Sequence, residues 1–281
     1  MKAVTRTLRR PELLMAPAVL LLLIVTAWPF GRAVWTSLST SALTTPDDTS
    51  FVGVDNYVEV LTSRRWWVAV ALTLLFVAVV VILQLLLAAA FAATLRRITF
   101  GSTYVRVLVL VPFAVMAVVT AFAWRDGLTE GFGPSWFRYD GDGQVVALLA
   151  AGAAEVWRGT GITTIILLAG LARVPVSLLE SAVADGATGR QRLFRVVLPA
   201  AAPAIAVATV YRALDAYRAF EAPLLAEPSL PKLRTAPLLL WDTTFTSFEL
   251  GLGAAMSVLV LALAALVGVG LMLMLRVRRA L

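Results

Sequence analysis

The chain has 281 residues, of which 60% are hydrophobic and only 15% charged, and it carries a net charge of +7. A soluble domain of this length carries more charge, and several uncharged runs reach the roughly 18–25 residues that a spanning helix needs, so the composition implies an α-helical integral membrane protein. It contains no cysteine and no histidine, which excludes disulfides and thiolate chemistry and removes the commonest general base and metal ligand.

In chain order, the start "MKAVTRTLRRPELLMAPAVLLLLIVTAW" has the basic-then-apolar pattern of a signal peptide. Its long apolar stretch and the five spans that follow favour a retained first helix. Span 1 is expected over about Leu13–Leu38, with Pro17 and Pro29 as bends. Span 2 lies within the uncharged run Trp66–Leu95. Span 3 is expected as one helix over about Val107–Trp124. Span 4 covers about Val145–Leu171 and contains Glu155 and Arg158. Span 5 starts after Pro199 and soon meets Arg212. Span 6 covers about Leu250–Leu275. The domain division is then a tail at 1–12, a transmembrane domain at 13–275 and a second tail at 276–281. Trp28, Trp35, Trp66 and Trp67 are expected in interfacial aromatic belts, Arg32 as an interface anchor and Gln84 as an interhelical hydrogen bonder.

Charge gives the orientation. Lys2, Arg6, Arg9 and Arg10, then Arg96, Arg97 and Arg106, then Arg173, Arg190, Arg192 and Arg195, then Arg276, Arg278 and Arg279 fall on one side of a six-span arrangement. The alternate loops, 39–65 and 125–143, each hold four acids and two arginines. Both termini are therefore expected in the cytoplasm. The positive charge is thus accounted for by cytoplasmic loops, with no call for nucleic acid.

The segment 173–199 is polar between two apolar spans. Ser177 and Glu180 have the spacing of a capping box, with Pro175 just ahead. A short helix is expected to run to about Asp185 and to end at Gly186 or Gly189. Ala182 and Gly186, four apart, would give it a small-residue face with Glu180 and Asp185 beside it. A second short helix, "RQRLFRVVL", would follow, and Pro199 would open span 5. Such a rigid, small-faced helix suits docking, since little side-chain entropy is lost. An interfacial connector is the alternative.

The run Glu180, Ala182, Asp185, Gly186, Ala187, then Leu198 and Pro199, resembles the "EAA" signature of binding-protein-dependent ABC importer permeases, with Ser181 where Ala is usual. "WPFGRAVWTSL", "FVGVDNYVEVL", "LVPFAV", "AEVWRGTGITTIILLAGLARVPVSLLE" and "GLGAAMSVL" follow the same order as motifs of the maltose-type carbohydrate permease family. "YRALDAYRAFEAPLLA" and "LWDTTFTSFELGLGAAMSVL" resemble its trehalose-importing members most. The resemblance implies a type I ABC importer permease of six transmembrane helices, in a bacterial plasma membrane. The EAA segment would be a cytoplasmic coupling helix between spans 4 and 5. It implies a second related permease, a cytoplasmic ABC ATPase dimer, an extracytoplasmic sugar-binding (lipo)protein and a disaccharide or oligosaccharide cargo. No cofactor is expected on this chain, and ATP and Mg would sit on the ATPase. In agreement, Lys2 and Lys232 are the only lysines and neither follows a phosphate-loop glycine pattern. "LLAEPSLPKLRT", Leu224–Thr235, departs from the family's usual "TGGP".

Ionisable residues within spans face a cavity or a partner. Span 4 offers Glu155, Trp157 and Arg158. Span 5 offers Tyr211, Arg212, Asp215, Tyr217, Arg218 and Glu221. Planar donors, carboxylate acceptors and aromatic platforms suit a sugar passage. The plainer alternative is that these charges satisfy one another and hold helices together. A membrane-embedded enzyme using Asp215 and Glu221, and a stand-alone secondary transporter or channel, are the rival classes. The missing histidine and cysteine argue against the first, and the lack of an inverted repeat against the second.

Overall fold

The computed structural model describes residues 11–42, 44–98, 101–129, 143–219 and 234–276. They are helical apart from one small hairpin. The elements are α1 (Pro11–Ser37), β1 (Ser39–Ala42), β2 (Thr45–Phe51), α2 (Asp55–Thr62), α3 (Arg64–Leu95), α4 (Ser102–Ala114), α5 (Ala117–Thr129), α6 (Gly143–Ala172), α7 (Val176–Ala184), α8 (Gly189–Arg192), α9 (Leu198–Tyr217), α10 (Ala236–Trp241) and α11 (Leu250–Arg276). Among the described residues four helical stretches, Pro17–Ser37, Arg64–Leu95, Gly189–Tyr217 and Leu250–Leu275, are long and apolar enough to cross a membrane, and the count would reach six if each of two bent helix pairs were one span.

One compact unit draws on residues 1–66 and 240–261. Its polar joints hold the end of α1 against the hairpin and α2. Asn56 donates from Nδ2 to the carbonyls of Ser37 at 2.8 Å and Ser39 at 3.1 Å. The hydroxyls of Ser37 and Tyr57 meet at 2.6 Å. Gly251 lies so close to the hairpin that a Cβ there would sit 2.1 Å from the Ser39 carbonyl oxygen. Trp28, Trp35 and Trp67 are exposed, as an aromatic belt requires, but Trp66 is not. It is only 1% exposed, a buried core residue rather than a belt residue.

The second unit draws on residues 67–239 and 262–281. Here α6 is central and packs against α4, α5 and α9. Small residues permit these approaches. A Cβ on Gly161 would fall 2.1 Å from the Val109 carbonyl oxygen on α4, and one on Gly170 would fall 2.2 Å from Ala204 Cβ on α9. Ala88 and Ala92 of α3, Leu167 of α6 and Ala208 of α9 form a buried cluster between the helices.

Span 3 is not one helix. Its sequence is divided between α4 and α5, which meet at 87°. Each has 13 residues, about 20 Å at the usual rise, which is too short to cross a membrane alone. The break comes at Val115, where the chain turns extended (φ −74°, ψ 138°), past Pro112, which lies inside α4.

The expected second short helix is also not separate. α8 runs through a π-turn, Leu193–Val197, straight into α9. The Leu198 N–H bonds to the Leu193 carbonyl, five residues back. Pro199, having no N–H, asks for no partner in this turn, so the wider turn is tolerated.

Candidate functional site

Five ionisable side chains of α6 and α9 meet within the second unit. Glu155 and Arg158 are three apart on α6, and Arg158 Nη2 donates to Glu155 Oε1 at 2.8 Å. Arg212 and Asp215 are three apart on α9 and pair through Nη1 and Oδ2. Arg212 crosses between the helices, donating from Nη2 to Glu155 Oε2 at 3.2 Å. Its Nε donates to Gln84 Oε1 of α3 at 2.9 Å. Gln84 in turn donates to the Glu155 backbone carbonyl at 2.6 Å. Arg158 Nη2 also stands 3.6 Å from Asp215 Oδ2. Each donor edge of the Arg212 guanidinium therefore has an acceptor, which is the condition for holding a charge out of water. Arg212 is 0% and Glu155 2% exposed.

The glycine beside this network is part of it. A Cβ on Gly159 would lie 2.2 Å from both Arg212 Nη2 and Gln84 Nε2. The guanidinium and the amide thus stand close to the α6 backbone, where any larger residue would displace them.

The network's outer edge differs. Arg218 donates to Asp215 Oδ1 at 2.9 Å, yet its side chain is 79% exposed. Tyr211 lies seven residues before it, two turns away on the same face of α9, and is also exposed. The Tyr211 ring centroid is 5.9 Å from the Arg212 guanidinium carbon.

The segment joining α6 to α9 has the opposite character. No residue of α7 is buried, and Val176, Leu178 and Val183 are exposed. The helix ends in two bonds: Ala187 N–H to the Ala182 carbonyl at 2.9 Å, and Gly186 N–H to the Val183 carbonyl at 3.0 Å. This is the paired-bond terminus that requires a left-handed residue after the cap. Gly186 supplies it with φ 75°. Asp185 is the cap itself. Ala182, Asp185, Gly186 and Ala187 therefore form one hydrogen-bonded stop.

Residues 87–280 match the family of binding-protein-dependent transport system inner membrane components. The chain belongs to that family. It is 39% identical over 248 residues to the trehalose transport system permease protein SugA of Mycobacterium tuberculosis, covering 86% of this chain and 81% of that one. It is 30% identical over 261 residues to the sn-glycerol-3-phosphate transport system permease protein UgpA of Escherichia coli, covering 87% and 86%. Its fold is similar to that of a bacterial alginate ABC transporter solved in complex with an alginate pentasaccharide-bound periplasmic protein. That likeness has a TM-score of 0.70 at 18% identity and covers 96% of this chain and 94% of the other.

Several expectations for this permease need correction. Ser177 does not cap α7. The flanking residue is Pro175, extended at ψ 136°, and no side-chain cap bond forms, so Ser177 lies inside the first turn and Glu180 has no cap to complete. The capping box stands instead at Thr188 and Gln191, opening α8: Gln191 N–H donates to Thr188 Oγ1 at 3.3 Å, and Thr188 N–H to Gln191 Oε1 at 2.8 Å. Thr-x-x-Gln was legible as a signal. Ala182 and Gly186 do not form a helix face, because Gly186 lies past the helix end. Leu198 and Pro199 lie in the first turn of α9, within a continuous helix.

Of the intramembrane candidates, Glu155, Arg158, Arg212, Asp215 and Arg218 converge. Trp157 is two residues from Glu155, on the far side of α6, and is exposed. Tyr217 is buried, and its hydroxyl meets no partner among the described residues. Glu221 and most of Leu224–Thr235 lie outside the described residues. Gln84 and Gly159 are the members that sequence reasoning left out of the site. Gln84 was expected as an interhelical hydrogen bonder, which it is, but was not placed among the site residues. Gly159 gave no signal beyond its place next to Arg158.

Proposed function

We propose that this chain is one of two related permeases in an ATP-driven importer of a disaccharide or oligosaccharide, with trehalose the first candidate. The observation that carries this reading is the 39% identity to a trehalose permease across 86% of the chain. In this reading the chain makes six crossings of a bacterial inner membrane, with the α4–α5 pair serving as one broken span and both termini in the cytoplasm. A binding protein outside delivers the sugar. A cytoplasmic ATPase dimer holds ATP and Mg, and this chain is not an enzyme.

α7 is the coupling helix. Its exposed apolar side chains and its stop at Gly186 suit a short rod entering a groove on the ATPase. Closure of the ATPase pair would displace α7, and the displacement would pass to α6 and α9, which are joined by the Gly170–Ala204 contact and by the charge network. Access to the site would thereby alternate between the two membrane faces.

The sugar passage runs past Tyr211 and Arg218, an aromatic platform and a planar donor on one exposed face. Glu155, Arg158 and Asp215 hold Arg212 and so support that face. Trp157 and Tyr217 remain in the proposed pathway as residues outside the paired network, and Glu221 remains in it by its place in the sequence. The partner permease supplies the rest of the site.

The test is uptake by cells lacking this chain and complemented with it, given labelled trehalose, maltose, sn-glycerol-3-phosphate and an alginate oligosaccharide. Disaccharide uptake that needs both this chain and the ATPase supports the reading. Uptake of sn-glycerol-3-phosphate alone would replace the cargo. Uptake by the purified chain without an ATPase would replace the mechanism.

A further inference from the structure

α8 and the π-turn that follows it carry three arginines that neither the proposed coupling nor the proposed passage uses. Arg190, Arg192 and Arg195 form no ion pair among the described residues. The Arg192 Nε is buried without a hydrogen-bond partner. Unpaired guanidinium groups beside an apolar helix attract an anion.

A cavity of about 330 Å³ lies here, lined by Thr188, Arg190, Gln191, Phe194 and Arg195. The backbone shapes it. In a regular helix, residues five apart point well away from each other, since each residue turns about 100°. The wider π-turn at Leu193–Val197 reduces that offset and lets Arg195 share a cavity with Arg190. The Arg190 guanidinium stands 5.9 Å from the Phe194 ring centroid. The Thr188–Gln191 capping box fixes the entrance to the turn.

Beside the arginines, Leu193 and Phe194 are 45% and 58% exposed. A free anion has no use for these apolar neighbours, whereas a phospholipid has both a phosphate and an acyl boundary. The geometry points to a binding site for the phosphodiester headgroup of an anionic phospholipid, with Arg190 and Arg195 on the phosphate and Leu193 and Phe194 in the acyl boundary. The lipid would anchor the far end of the polar segment at the membrane surface while α7 is displaced. The assignment rests on the permease reading in placing the start of α8 at that surface.

The experiment uses the importer purified with its partner subunits in nanodiscs of phosphatidylcholine and phosphatidylglycerol. Retained lipid is counted by native mass spectrometry. The expected result is roughly tenfold enrichment of phosphatidylglycerol on the native importer. R190Q/R195Q brings it close to parity, while R190K/R195K, which keeps the charge but lacks the planar fork, is intermediate. Unchanged enrichment in R190Q/R195Q would overturn the site. So would full enrichment in R190K/R195K, which would reduce it to general surface charge. Loss of the ATPase from R190Q/R195Q in both lipids would assign the arginines to a protein partner instead. Displacement of the lipid by inorganic phosphate at equal concentration would make it a free-anion site. Native-importer sugar uptake, scored separately, reports on the permease reading without entering the lipid count.

Discussion

Two polar regions of the same unit invite comparison: the charge network between α6 and α9, and the segment that joins these helices. In the first, Glu155 and Asp215 are buried and paired to the buried Arg212, and Gln84 both donates and accepts within the network. In the second, Glu180 and Asp185 are exposed and form no ion pair among the described residues. Polarity alone therefore says little about role in a chain this apolar. A closed network resists change, because altering one member strands the others. An open segment keeps its groups available for another molecule.

The largest expected effect strikes the closed region. Arg212→Ala leaves Glu155 and Asp215 without their shared partner. A broken buried pair costs about 3–5 kcal/mol, so this variant should lose most of its folded population, measured by thermal unfolding in detergent. Gly159→Ala should follow. Alanine is the better helix former by about 1 kcal/mol, so a gain is expected if helix propensity governs. The Cβ contacts at 2.2 Å instead forecast overpacking, with a net loss of about 1–3 kcal/mol in the same assay.

The open region should respond differently. Gly186→Ala forces an L-residue to φ 75°, a strain of roughly 1–2 kcal/mol confined to the end of α7. Unfolding should shift little, and uptake should fall well before the amount of protein in the membrane does. Thr188→Ala removes one half of the capping box, worth about 1 kcal/mol, and should have the smallest effect of these four. It would show as faster amide hydrogen exchange over residues 188–192.

These contrasts were unevenly legible in the sequence. Uncharged runs fixed the places of α1, α3 and α11, and an apolar run broken only by Glu155 and Arg158 that of α6, because a bilayer demands long apolar helices whatever they pack against. The three-residue spacing of Glu155 with Arg158, and of Arg212, Asp215 and Arg218, foretold pairing within each helix. Pairing between helices was hidden. It depends on Gly159 letting Arg212 approach the backbone, and nothing local marks that glycine. The broken third span was missed because hydropathy is blind to direction. Pro112 was no guide, since it lies inside α4, as prolines lie inside the unbroken α1 and α9. At the joining segment the stop at Gly186 was foreseen, whereas its start was misplaced by a Ser-x-x-Glu pattern that Pro175 had already made unnecessary.

The most direct test sets one carboxylate from each region side by side. Glu155→Gln and Glu180→Gln are compared for thermal stability of the purified permease and for ATPase-dependent sugar uptake at equal amounts in the membrane. The account predicts that Glu155→Gln lowers the unfolding temperature, while Glu180→Gln leaves it unchanged and reduces uptake. A stable Glu155→Gln permease, or a Glu180→Gln permease that transports at the native rate, would contradict it.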